Sequence, residues 1–231
     1  MKESNKYTPP RQLDSKDYMA VAAKAGVAAI PFIGGPANEL LNALIVPSLE
    51  RRKYEWMAEV GQGLLQIENR LTSLEDLQSK ESFIDVAIEA SRMALSTSQK
   101  EVRSSLKNAV LNSAVSESID EAKQKLFLQF LDAFTEWHIR FIKLFDEPRR
   151  YMQANKVNLG NLYMGGITNL IEASFPQLKG QEEFSDAIWN ELYGRKIFNT
   201  SSIHGTMSLD GIISRRTTEL GREFLRFIEF E

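Results

Sequence analysis

The sequence predicts a mostly α-helical protein: an N-terminal helical bundle followed by a C-terminal module with a small β-element. Three observations carry this expectation. Apolar residues recur at helical spacing in segment after segment. The amphipathic segments are joined by short polar connections. Strand-like alternation of apolar and polar residues does not appear before about residue 195.

The chain has 231 residues, with 43% apolar and 26% charged side chains, which is ordinary globular composition. That length buries a core without staples. The formal net charge of −3 gives no global attraction to nucleic acid or anionic lipid. Cysteine is absent, which excludes disulfides, thiolate metal sites and a Cys nucleophile. A reducing, cytoplasmic setting is expected.

Residues 1–16 read as a flexible tail, polar and interrupted by Pro9 and Pro10. No apolar stretch directly follows the basic start, so a signal peptide is not expected. Residues 17–134 read as the bundle, opening with an apolar helical hairpin over 20–46. The hairpin's two arms are Ala20–Ala29 and Ala37–Val46, and the first helix is expected from Asp14 or Ser15 to Ala29. The stretch Ile30-Pro31-Phe32-Ile33-Gly34-Gly35-Pro36 breaks it, because two prolines and a Gly pair do not sit inside a helix. Leu40, Leu41, Leu44 and Ile45 line the second arm, and Pro47 is expected to kink or restart it.

Three readings of the hairpin stay open: buried centre of the bundle, dimerisation device, or membrane-entering hairpin. Each arm is about 15 Å long at 1.5 Å per residue, half of a ~30 Å hydrocarbon core. The hairpin is therefore expected to stay in the protein. Ile33, Gly34, Gly35, Leu41, Leu44 and Ile45 are its candidate interface residues. Leu41, Leu44 and Ile45 would be buried against later helices or a second copy, and Leu44→Asp would destabilise the fold.

The helix after Ser48 carries Leu49, Trp56, Val60, Leu64, Ile67 and Leu71 along one side. Further helices are expected from near Ser82, over Gln99–Ala114, and over Glu117–Phe134. Residues 135–231 form the C-terminal module. Thr135 is placed to cap a helix that carries Trp137, Phe141 and Phe145 and stops at Pro148. Trp137 is expected at the junction of bundle and module. A second helix runs through Leu159, Leu162 and Ile167 to Pro176, and a third spans Glu182–Tyr193 with Gly194 as a left-handed cap. A short strand at Ile197–Thr200, a turn-rich stretch around Gly205 and Gly211, apolar Ile212-Ile213 and a closing helix from Thr218 complete it.

Three helices, a strand, a β-turn-β stretch and a closing helix is the order of a winged helix. The segment Ile188–Ile197 resembles the recognition helix, Gly-containing turn and first wing strand of that fold. Thr218-Glu219-Leu220-Gly221-Arg222-Glu223-Phe224-Leu225 resembles the helix after the wing in MarR-like regulators. The whole chain also resembles a widespread family of uncharacterised bacterial helical proteins. That likeness rests on Ile30-Pro31, Ile33-Gly34-Gly35-Pro36, Glu50-Arg51-Arg52 with Trp56, Trp137-His138 with Arg140, Phe145 with Pro148, and Leu220-Gly221 with Phe224-Leu225. The resemblance implies no assigned activity. A looser similarity to abortive-infection-type proteins points by association to phage defence.

Chemistry-bearing patterns are few. His138 and His204 are the two histidines, below the usual complement of a zinc site. His138 reads as a capping or packing residue and His204 as solvated. Gly61-Gln62-Gly63 lies on a helical pattern without the strand that a dinucleotide-binding turn requires. No catalytic, cofactor-binding or metal residue is assigned, no cofactor is expected, and the chain is read as non-enzymatic.

Residues 135–231 hold 12 Lys/Arg and 13 Asp/Glu, which argues against phosphate binding. Arg149, Arg150, Arg195, Lys196, Arg215 and Arg216 are the candidate nucleic-acid contacts. The leading expectation is an interaction protein acting on a protein partner or on itself, in phage defence or stress response. A DNA-binding regulator is the first alternative and a membrane-active, pore-forming effector the second.

Overall fold

The computed structural model describes residues 36–71, 73, 76–115 and 119–230, with side chains from residue 43 onward. The first arm of the expected hairpin, its turn, and Ile33, Gly34 and Gly35 lie outside the described residues. So does the side chain of Leu41.

Helix α1 (Pro36–Gln66) runs without interruption through Pro47. The expected restart at that proline is not found. Proline removes one N–H and crowds the preceding turn, and here the helix continues regardless. α1 lies antiparallel to α2 (Glu81–Ser96). Arg52 donates to the Leu95 carbonyl at 3.1 Å, and Trp56 Nε1 donates to Ser91 Oγ at 2.8 Å. α3 (Lys100–Val115) follows and packs on both. Gly63 brings α1 close to α3: a Cβ there would meet the Leu111 methyls at 2.9 Å. Gly63 of the Gly-Gln-Gly sequence thus serves helix packing.

α4 (Glu121–Ala133) starts on Asp120, whose carboxylate accepts from the Ala122 and Lys123 N–H groups. α5 (Glu136–Asp146) is buried along most of its length, with Ile139, Phe141, Ile142, Leu144 and Phe145 all sealed from solvent. Pro148 does not merely stop it. Its fixed φ suits a first helical position, and it opens α6 (Pro148–Asn155), a helix the sequence reading missed. α7 (Ile167–Ser174) is shorter than expected, since Leu159 and Leu162 fall in the connection before it. α8 (Glu182–Gly194) matches its expected span. Gly194 stays helical, and the left-handed residue is Lys196, at φ 62°.

The β-structure departs from expectation. β1 (Met164–Gly165) pairs antiparallel with β2 (Met207–Ser208), so one strand precedes α7 instead of following α8. The expected strand at Ile197–Thr200 is reduced to one bridge, Phe198 to Thr217. Ile212 lies in the four-residue helix α9 (Leu209–Ile212) and Ile213 follows it; both are buried. Alternation could not reveal these two-residue strands, because a period needs more than two positions to show.

The closing helix α10 (Glu219–Ile228) is capped by Thr218, whose Oγ1 accepts from Gly221 N–H at 3.0 Å. It packs back into the bundle against α3 and α4. Asn108 donates to the Ile228 carbonyl, and Asn112 lies within 3.0 Å of the Arg226, Phe227 and Glu229 carbonyls, satisfying the orphan end of the helix. Phe127, Phe130, Phe134, Phe224 and Phe227 form a continuous aromatic cluster. One core therefore runs from Trp56 in α1 through Phe134 to Ile228.

Trp137 is not at the bundle junction. It packs edge-on against Phe175 and Phe184, both in the C-terminal part, with the Arg140 guanidinium over its ring. The junction is made instead by Phe134, His138 and Phe224.

Candidate functional site

Two surface features stand out. The first is the N-terminal half of α1. Its first hydrogen bond to another element, among the described residues, is at Arg52, opposite the penultimate residue of α2. The turns from Pro36 to Arg51, roughly 24 Å of helix at 1.5 Å per residue, therefore extend past the end of α2 as an arm. Leu44 and Ile45 are each 57% exposed and Leu49 is 43% exposed. The expected burial of Leu44 and Ile45 against later helices is not found in the single chain.

The exposed positions are not randomly placed. Ile45, Leu49, Arg52, Trp56, Val60, Gly63 and Ile67 follow one another at steps of three and four, which keeps them on one helix face. From Trp56 downward this face is in the core: Trp56, Gly63 and Ile67 are buried and Val60 packs against the core. At Leu49 and Ile45 the same face is about half exposed.

The second feature is a groove of about 580 Å³ between α2 and α4. Val86, Met93 and Leu128 form its floor, and Ile88, 60% exposed, stands at its lip. Five carboxylates border it, from Glu81, Asp85, Glu89, Glu121 and Asp132, against Arg92 and Lys125. Arg92 is bound by Glu89 at 3.1 Å and Asp132 at 3.4 Å, and those carboxylates hold its charge firmly on. Sequence reading missed the groove, because it is made by two helices some forty positions apart, each with an ordinary polar face.

The six candidate nucleic-acid residues separate into two groups. Arg149 pairs with Asp210 at 2.7 Å, Arg150 with Glu147 at 3.2 Å, and Arg215 with Asp146 and Glu147. Arg216 is part-buried and donates to Thr200 Oγ1 and the Gly211 carbonyl. Arg195 and Lys196 lie at the end of α8. Arg195 is tied to Glu191 and lies over the Phe130 and Phe134 rings, while Lys196 lies over Tyr193. Five of the six cations are engaged by an anion or a carbonyl of the same chain.

His138 is buried and stacks on Phe134 at 4.7 Å. Its Nδ1 accepts from the Thr135 N–H at 3.0 Å, which leaves Nε2–H to donate to Glu191, 3.2 Å away. Burial pushes its pKa below the ordinary value, against the pull of Glu191. His204 is half exposed and pairs with Asp186, which raises its pKa. Both are structural partners of nearby groups. Among the described residues, no three His, Asp or Glu side chains gather as a metal site, and no helix is long and apolar enough to cross a membrane. Compared with known proteins, the chain matches no family model, no curated protein and no solved structure.

Proposed function

We propose that this chain is a non-enzymatic helical interaction protein working through protein–protein contacts, and that the apolar face of the α1 arm is its contact surface, engaged by a second copy of the chain. One observation carries the reading: the helix face that is buried from Trp56 to Ile67 continues through Leu49 and Ile45, which stand 43% and 57% exposed. Fully burying a Leu or Ile side chain contributes about 1.5–3 kcal/mol. Three half-exposed residues from each of two copies supply roughly 5–9 kcal/mol, of the same order as the ~4–15 kcal/mol cost of association. That fits a micromolar complex better than a nanomolar one.

A winged-helix-like assignment of residues 135–230 belongs to the same proposal, as a module for protein contact. The order α5, α7, α8 and α10 supports it, as does the Thr218–Gly221 cap. DNA binding is disfavoured, since Arg149, Arg150, Arg195 and Arg215 already carry carboxylate partners. A cytoplasmic role in phage defence or stress response rests on resemblance alone.

Sedimentation velocity of the full chain tests the reading. The wild type should associate as its concentration rises through the micromolar range, and Leu44→Asp should remain a monomer with an unchanged melting temperature. A wild-type chain that stays monomeric, or a Leu44→Asp chain that associates like the wild type, overturns it. The exposure of Leu44 reverses the expectation that this substitution would destabilise the fold.

A further inference from the structure

We propose that the acidic groove between α2 and α4 receives the α1 arm of a second copy, an inference that rests on the interaction reading above and names the surface the arm meets. The two features complement each other. The arm offers Leu44, Ile45 and Leu49 in the open, and the groove offers an apolar floor of Val86, Met93 and Leu128 with Ile88 beside it. The base of the arm carries exposed Lys53 and Arg51, whose side chain is 71% exposed and lies 3.9 Å from Glu55. The groove rim carries Glu81, Asp85 and Glu121, none of which forms an ion pair among the described residues. Arg92, which lines the groove, is already taken by Glu89 and Asp132.

Size agrees with charge. The arm from Pro36 to Arg51 is about 24 Å long, and α4, thirteen residues, is about 20 Å. Packing one amphipathic helix between two others is ordinary helix-in-groove recognition. The occupant must come from another copy. α1 is continuous through Pro47 and points away beyond Ser96, whereas the groove runs back along α2 from Met93 to Glu81. A chain cannot lay its arm in its own groove without breaking α1. Reciprocal exchange of arms closes a symmetric dimer.

The test uses two variants of the full chain, alone and mixed. Leu44→Asp/Leu49→Asp disables the arm, and Asp85→Lys/Ile88→Lys disables the groove; all four positions are exposed, so both variants should keep the wild-type melting temperature. By sedimentation velocity each variant alone should be monomeric. An equimolar mixture retains one intact arm and one intact groove, and should form a 1:1 complex at roughly tenfold or higher concentration than the wild type needs. A groove variant that associates like the wild type, with the arm variant monomeric, overturns the groove assignment and leaves the interaction reading standing. So does a mixture that stays monomeric. An arm variant that associates like the wild type overturns both.

Discussion

At position 138 a neutral imidazole is enclosed by Phe134, Thr135 and Glu191. Its pKa is lowered, chiefly by burial. Above an unfolded pKa of about 6.5 both states are neutral. As pH falls below that value the unfolded chain takes the proton first, so stability is lost through the window down to the folded pKa. His204 acts in the opposite sense: its raised pKa favours the fold at low pH, and that contribution fades as pH rises through the folded value. His138→Gln can still accept at the Thr135 N–H. Its melting temperature should fall less between about pH 7.5 and pH 5.5 than that of the wild type. Equal slopes would show that His138 does not carry this window. The sequence marked His138 as capping or packing, and it does both. It placed Trp137 at the junction and missed, because the register of α5 turns that ring toward Phe175 and Phe184. Trp189, sealed and donating to the Thr200 carbonyl at 2.7 Å, is the costlier tryptophan to lose. Trp189→Ala should cost about 3–5 kcal/mol in chemical denaturation. Trp137→Ala should cost clearly less, and a larger loss would contradict the packing described.

Among the elements, helices with a long apolar period were legible and short strands were not. α3 and α8 fall within a residue of their expected ends, and α2 within a residue of its expected start, because each repeats its pattern over several turns. α6 was hidden by Pro148, read as a stop where it serves as a first residue. Two glycines show how elements are brought together. A Cβ at Gly221 would come within 2.6 Å of the Ile197 carbonyl oxygen, a backbone atom that cannot rotate away. Gly194 has nothing within 4 Å of its Cβ direction. Gly221→Ala should therefore destabilise the protein by about 1–3 kcal/mol through overpacking. Gly194→Ala should stabilise it by up to about 1 kcal/mol, as helical alanine does over glycine. Urea denaturation of both variants checks the pair, and shifts of the same sign would contradict the assignment. The Thr218–Gly221 spacing that the sequence matched to a regulator motif thus has a local physical basis: one residue caps the helix and the other lets it touch the preceding loop.

For the whole molecule, the aromatic cluster around Phe127, Phe130, Phe134 and Phe224 ties the closing helix to the bundle. The surfaces proposed for interaction, the arm and the groove, both lie in the part of the chain read as bundle. The sequence singled out Leu44 and Ile45 by their apolar character, but it could not show where α2 ends relative to α1, and that offset is what leaves them in solvent. The central claim is that a second copy covers this face. Since the chain contains no cysteine, Leu49→Cys supplies a single thiol on the face, and its rate of maleimide labelling reports cover directly. Self-association predicts labelling that slows steadily as protein concentration rises through the micromolar range, while a cysteine at exposed Asn155, away from the arm, reacts at a constant rate. A labelling rate at position 49 that is the same at every concentration would contradict the account.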